Sequence, residues 1–204
     1  MQSSPNINCG DIDTISTADL HLLFQLYDQI FLDNWFKTNY RGKFKFSLSR
    51  RMTRSAGQTR CPKNIGNIKP EQLTIEICIG VDFFFQYDLV EGNKAVGGIT
   101  IANSLEALQL VFEHELCHAI EYICFGKSNC SADRFKSIAG NLFGHTGEFH
   151  SLPTHRRIAS QKMGLKPGDT VSFSFKGNKL HGILYRTWLR TNRGSLLTNK
   201  ETGI

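Results

Sequence analysis

The segment Phe112–Tyr122, FEHELCHAIEY, constrains this chain more than any other stretch. It carries two histidines four residues apart, with a glutamate directly after the first, inside a run whose apolar residues recur at helical spacing. On an α-helix, positions i and i+4 project about 40° apart, so His114 and His118 aim their imidazoles at one point while Glu115 stays within the same arc of about 100°. Two neutral imidazoles plus one further ligand leave the fourth position of a tetrahedral zinc ion for water, whose pKa the ion lowers toward about 7. A carboxylate at position 115 is then placed to take the proton of that water as it attacks a carbonyl and to pass it to the leaving amine. The motif predicts one catalytic Zn2+, with His114 and His118 as ligands and Glu115 as general base. Any fold of this chain has to fix that helix against a scaffold and keep one of its faces reachable.

The helix is legible without the motif. Asn103 stands three residues before Glu106 as in a capping box, Leu105, Leu108, Phe112, Ala119 and Ile123 repeat on or near one face, and Gly126 is a natural stop. Upstream, STADLHLLFQLYDQIFLDNWF puts Leu20, Leu23, Phe24, Tyr27, Ile30 and Phe31 on one stripe behind Ser16 or Thr17, which predicts a core-facing helix. KFKFSLSRRMTRSAGQT alternates, and LTIEICIGVDFFF sets Ile75, Ile77 and Ile79 on one face, so both read as strands of a small sheet. Downstream, KSNCSADRFKSIAGNLFGHTGEFH reads as a looser region, followed by a short helix that Pro153 starts and Gly164 ends. GLKPGDTVSFSFKGNKLHGILYRTW reads as a hairpin around a Gly177-Asn178 turn. The fold class expected is α+β, organised as a flexible lead over 1–16, a main domain over 17–163 and a small basic β unit over 164–204.

A chain of 204 residues, 40% hydrophobic and 21% charged, has material for one good core and a small second module. The N-terminus has no basic region followed by an apolar one, and no stretch approaches about 18 uninterrupted apolar residues, which points to an intracellular protein without membrane contact. Six cysteines show no CxxC pair, which argues against a zinc ribbon and reads as buried reduced thiols. The formal charge of +6 is uneven, because residues 151–204 hold ten Lys or Arg against Asp169 and Glu201. A basic tail on a near-neutral body suggests an anionic partner, nucleic acid first.

Spacing alone leaves His145, Glu148, His150 and His155 open as the third metal ligand, since each follows within reach of a chain reversal. Four stretches, LLFQLYDQIF, RMTRSAG, FEHELCHAI and GHTGEF, occur in an order that resembles the SprT-like, Spartan-related family of zinc metallopeptidases over residues 17–163. The resemblance implies a zincin-like minimal metallopeptidase domain, helices packed on a small β-sheet, with zinc held by His114, His118 and His145 and Glu115 as base. It further implies a protein substrate that is DNA-bound or DNA-crosslinked, with DNA as a partner; the sequence does not fix the oligomeric state, and a monomer is the expectation. Under it Ser55, Ala56 and Gly57 border the substrate cleft, where a small residue and a glycine admit a peptide backbone, and Arg50, Arg51 and Arg54 lie near the cleft to meet phosphate. The chain departs from the family pattern at Thr146, which stands between His145 and Gly147, and at Pro153, and it lacks the family's cysteine-rich zinc ribbon. In the ribbon's place the tail resembles a small SH3-like or tudor-like barrel, where Arg186 and Arg190 with Tyr185 and Trp188 offer a basic, aromatic surface for nucleic acid. Two other readings fit the same residues: a nucleic-acid-binding module with a structural zinc, and a substrate-specific zinc peptidase with no DNA role.

Overall fold

The computed structural model describes residues 7, 8 and 10–185. Arg186 and Arg190 therefore lie outside the described residues. The chain divides into two compact units, Met1–Tyr87 with Gly92–Leu152 and Asp88–Glu91 with Pro153–Ile204. The division falls ahead of the last helix, whereas sequence placed a boundary behind it.

The architecture is mixed α+β with small sheets. In chain order the first unit runs β1 (Ile7–Asn8), β2 (Asp11–Ile12), α1 (Thr17–Leu26), α2 (Trp35–Asn39), β3 (Lys43–Ser49), β4 (Gly57–Arg60), β5 (Thr74–Gly80), α3 (Asp82–Phe85), β6 (Lys94–Val96), β7 (Ile99–Ile101), α4 (Ser104–Phe125) and α5 (Asp133–Phe143). The main sheet has the order β3-β5-β4, with β3 parallel to β5 and β4 antiparallel to it on the other side. β5 takes the middle because its isoleucines 75, 77 and 79 are fully buried, and each buried Ile contributes roughly 2 kcal/mol. Leu108, Phe112 and Leu116 of α4 share one core with those isoleucines and with Leu20, Leu23 and Phe36. Phe24 ties α1 to the sheet, its ring 4.5 Å from Phe44 and 5.5 Å from Phe46.

Three local features depart from the sequence reading. The apolar stripe of α1 does not stay buried to its end: Tyr27–Phe31 form a π turn, and Ile30 and Phe31 are exposed. Asp28, buried in that turn, accepts the Phe36 and Lys37 amide hydrogens at 2.8 and 3.2 Å, so its carboxylate fixes α2 and the wider turn rotates the last two apolar residues outward. Residues Gly10–Ile12, expected in a flexible lead, are fastened to the start of α4: Ile12 N–H donates to Ser104 Oγ at 2.8 Å and the Gly10 carbonyl accepts from Leu105 N–H at 2.9 Å. The region expected to be loose contains α5, an amphipathic helix that buries Phe135 and Ala139 and stops at Gly144.

In the second unit, α6 (His155–Met163) is capped by Thr154, whose hydroxyl accepts from Arg157 N–H, and ends at Gly164 with φ of 64°. Strands β8 (Thr170–Phe175) and β9 (Asn178–Ile183) pair as an antiparallel hairpin. Its turn is Lys176-Gly177, one residue earlier than expected, with φ of 49° and 78° at the two positions. Two left-handed residues in a two-residue loop give the turn whose twist matches the strands.

Candidate metal centre

α4 is fixed at both ends by its own residues. Asn103 Oδ1 accepts from Glu106 N–H at 2.9 Å, Glu106 Oε2 accepts from Ala102 N–H at 2.7 Å, and Gly126 closes the helix at φ of 68°. Between those caps the buried face of the helix lies on the core, and the turn carrying His114 and His118 faces Phe135 of α5, whose ring lies 4.7 and 4.5 Å from theirs.

The two imidazoles converge, with Nε2 of His114 and Nε2 of His118 3.1 Å apart. His118 Nδ1 lies 2.6 Å from Ser128 Oγ, and Ser128 Oγ donates to Glu121 Oε2 at 2.6 Å. The single hydroxyl proton of Ser128 is committed to Glu121, so the serine oxygen accepts from His118 Nδ1–H and the lone pair of His118 stands at Nε2, facing His114. Glu121, fully buried, also accepts from Asn129 N–H at 3.0 Å and from Arg134 Nε at 2.7 Å. Burial pushes the His114 imidazole down to about 3, helped by His118, His145 and His150, and burial pushes His118 down to about 4 against the opposing pull of Glu121. Both are therefore neutral at physiological pH, the form in which imidazole binds a metal. Cys130 Sγ joins them: the ligating atoms of His114, His118 and Cys130 all lie within 4.8 Å of one another, so this group can hold a metal ion.

Glu115 turns to the sheet edge. Thr59 Oγ1 of β4 donates to its Oε2 at 2.7 Å, and a Cβ on Gly57 would stand 2.6 Å from its Oε1. Position 57 is glycine because the carboxylate of Glu115 occupies the space of a side chain there. Burial raises the Glu115 carboxyl to about 7, with the Thr59 hydrogen bonds pulling the other way.

The remaining metal-ligand candidates come from segments after α5. His145 is buried, its Nε2–H donates to Glu113 Oε2 at 2.8 Å, and Gly97, at φ of 59°, leaves room for its ring where a Cβ would lie 2.6 Å from Nδ1. The other oxygen of Glu113 accepts from Tyr27 OH at 2.7 Å. Nδ1 of His145 and Nδ1 of His150 are both buried without a hydrogen-bond partner. His150 packs edge-on against Phe83 at 5.2 Å and bridges the backbone of Val96. Glu148 is paired with Lys136 Nζ at 2.9 Å, and His155 opens α6 in the second unit. Along the connection from β3 to β4, Ala56 is buried in the core while Arg50, Arg51, Arg54 and Ser55 are exposed; the Arg50 guanidinium lies 5.8 Å from the Phe85 ring centre.

Sequence reasoning passed over Cys130, Ser128, Glu121 and Thr59. Cys130 and Ser128 carried a usable signal, since both follow the Gly126 stop closely enough to fold back over the last turns of α4. Thr59 carried none. Comparison of the chain with known protein families, with curated proteins and with solved structures finds no match.

Proposed function

We propose that this protein is a zinc-dependent endopeptidase of zincin-like, SprT-like type whose general base is Glu115. The observation that carries the reading is the pairing of a converged two-histidine site with a buried carboxylate of near-neutral pKa on the next residue of one helix. The donor set fits zinc: two nitrogens at about 2.05 Å from a tetrahedral ion stand about 3.3 Å apart, close to the 3.1 Å between His114 and His118. The orphaned, buried Nδ1 atoms of His145 and His150 add nitrogen donors to the same unit of the fold. His114 and His118 would hold the ion, and zinc bound there supplies an acidified water nucleophile and a Lewis acid for the scissile carbonyl.

The chain's own groups then have separate tasks. Thr59 occupies Glu115 Oε2, which leaves Oε1 to accept a proton and return it to the leaving amine. A carboxyl near pH 7 is matched to that exchange, being neither a permanent acid nor too weak a base. β4 pairs only with β5 among the described residues, so its outer edge beside Gly57 offers backbone groups to an extended peptide. The exposed Arg50, Arg51 and Arg54 next to that strand favour a protein substrate carried on DNA.

The test incubates zinc-loaded protein with a DNA-binding substrate protein, with and without single-stranded DNA, beside Glu115→Gln. Wild type should generate fragments that depend on DNA, and Glu115→Gln should keep zinc and generate none. Cleavage by Glu115→Gln at the wild-type rate would remove the base assignment. Cleavage that ignores DNA and salt would leave a peptidase with no nucleic acid role, since phosphate contacts weaken as salt rises.

A further inference from the structure

We propose that Cys130 is a thiolate ligand of the metal at His114 and His118, so that the centre is built from two histidines and one cysteine rather than from three histidines. The inference rests on the metal-centre part of the proposed function and not on its peptidase chemistry. Three observations carry it. Among the described residues, Cys130 Sγ is the donor that lies within 4.8 Å of both histidine nitrogens. Distances of about 3.6 Å between Sγ and each nitrogen suit tetrahedral zinc, so closure requires a shift of no more than about 1 Å.

The segment carrying Cys130 is also fastened to the ligand helix at several points. Ser128 Oγ and Asn129 N–H both donate to Glu121, and the Asn129 side chain and carbonyl accept from Ser131 N–H at 3.1 Å and Ala132 N–H at 3.0 Å. The serine that orients His118 thus stands two residues from the cysteine, and one buried carboxylate positions both ligands. Finally, the Nε2 of the rival is engaged elsewhere: His145 gives Nε2–H to Glu113, which Tyr27 holds from its other oxygen. Cys130 has no disulfide partner and is half-buried, and thiolate is a preferred ligand of zinc. On binding, the thiol proton passes to solvent and the sulfur lone pair to the ion. Three protein ligands leave one position open, as catalysis requires.

The experiment titrates Co2+ into the metal-free full-length protein, its Cys130→Ala variant and a His114→Ala, His118→Ala double variant, and records the visible d–d bands and the near-ultraviolet thiolate-to-cobalt charge-transfer band. Wild type should show both. Cys130→Ala should keep d–d bands, lose the charge-transfer band and bind cobalt at least about tenfold more weakly; the double variant should show neither. A single bound cobalt without a charge-transfer band, or a band that survives Cys130→Ala, would overturn the ligand assignment and leave the histidine site standing. No cobalt binding by folded wild type would overturn both. Should Cys130→Ala fail to fold, alkylation of Cys130 in wild type by iodoacetamide, followed by peptide mass spectrometry, decides: Zn2+ should slow it at least about tenfold, and an unchanged rate refutes the proposal.

Discussion

Replacing Glu115 by Gln should make the metal-free protein more stable at pH 8 and change the slope of its stability against pH. The carboxyl is 4% exposed, and burial lifts it from 4.5 to about 7. Below pH 4 the group is protonated in the folded and unfolded chains alike, so it adds no difference. As pH rises the unfolded chain ionises freely while the folded chain resists, and stability falls until the folded carboxyl has also ionised near 7. The interval from 4.5 to about 7 corresponds to about 3 kcal/mol of lost stability at pH 8. Gln keeps an oxygen for the Thr59 hydroxyl and cannot ionise, so that loss disappears. The assay is urea denaturation of metal-free wild type and Glu115→Gln at pH 4, 6 and 8. Protonation of His114, His118 and the other histidines occurs in both proteins and largely cancels from the difference. The gap should grow with pH by about 3 kcal/mol; a gap that is flat, or wild type gaining on the variant as pH rises, would refute the buried-carboxyl argument.

Gly57→Ala puts a methyl 2.6 Å from Glu115 Oε1 and 2.7 Å from its Cγ, so the carboxylate must move; zinc content should hold while cleavage falls about 100-fold, as zinc analysis and a peptidase assay will show. Ser128→Ala frees His118 Nδ1 and should weaken cobalt binding about 10- to 100-fold with about 1 kcal/mol of stability lost, read by titration and urea melts. Arg134→Met leaves a buried Glu121 with one donor fewer and should cost about 3 kcal/mol. In wild type, burial raises the Glu121 carboxyl but bonds from Ser128, Arg134 and Asn129 outweigh it and hold it low. Its contribution is therefore present above its ordinary pKa and lost as pH falls, and Arg134→Met should flatten that acid limb in melts between pH 3 and pH 6 of roughly equal ionic strength.

What could be read from the sequence was what is local and periodic. α4, its Asn103 cap and its Gly126 stop follow from spacing within one segment, and so does the convergence of His114 and His118. β5 was visible because isoleucine at alternate positions needs a buried face. The π turn at Tyr27–Phe31 was not visible, because it is set by Asp28 capping a helix eight residues on. α5 was obscured by composition: it buries little more than Phe135 and Ala139, and its cap position is Ala132, which offers no side-chain oxygen. The close approach of Glu115 to Gly57 was not visible either, because that side chain comes from a helix 58 residues further along the chain. Contacts of that range leave no period in the sequence.

The three glutamates of the site show why residue type at a motif position says less than its surroundings. Glu113, Glu115 and Glu121 lie on one helix within nine residues, yet 113 and 115 project to nearly opposite sides and 121 lies about 80° from 113. Glu121 meets three donors, including a guanidinium, and is held ionised as a strut for Ser128, Asn129 and Arg134. Glu113 is shared between a phenol and an imidazole and ties the π turn after α1 to the His145 segment. Glu115 alone is buried against a single hydroxyl, with one oxygen uncommitted and a pKa near neutrality. Proton transfer demands a group that can change state at working pH without dragging an ion-pair network with it. Among the three, the fold gives only Glu115 that freedom, and it does so by placing glycine at 57 and threonine at 59 on the strand that faces it.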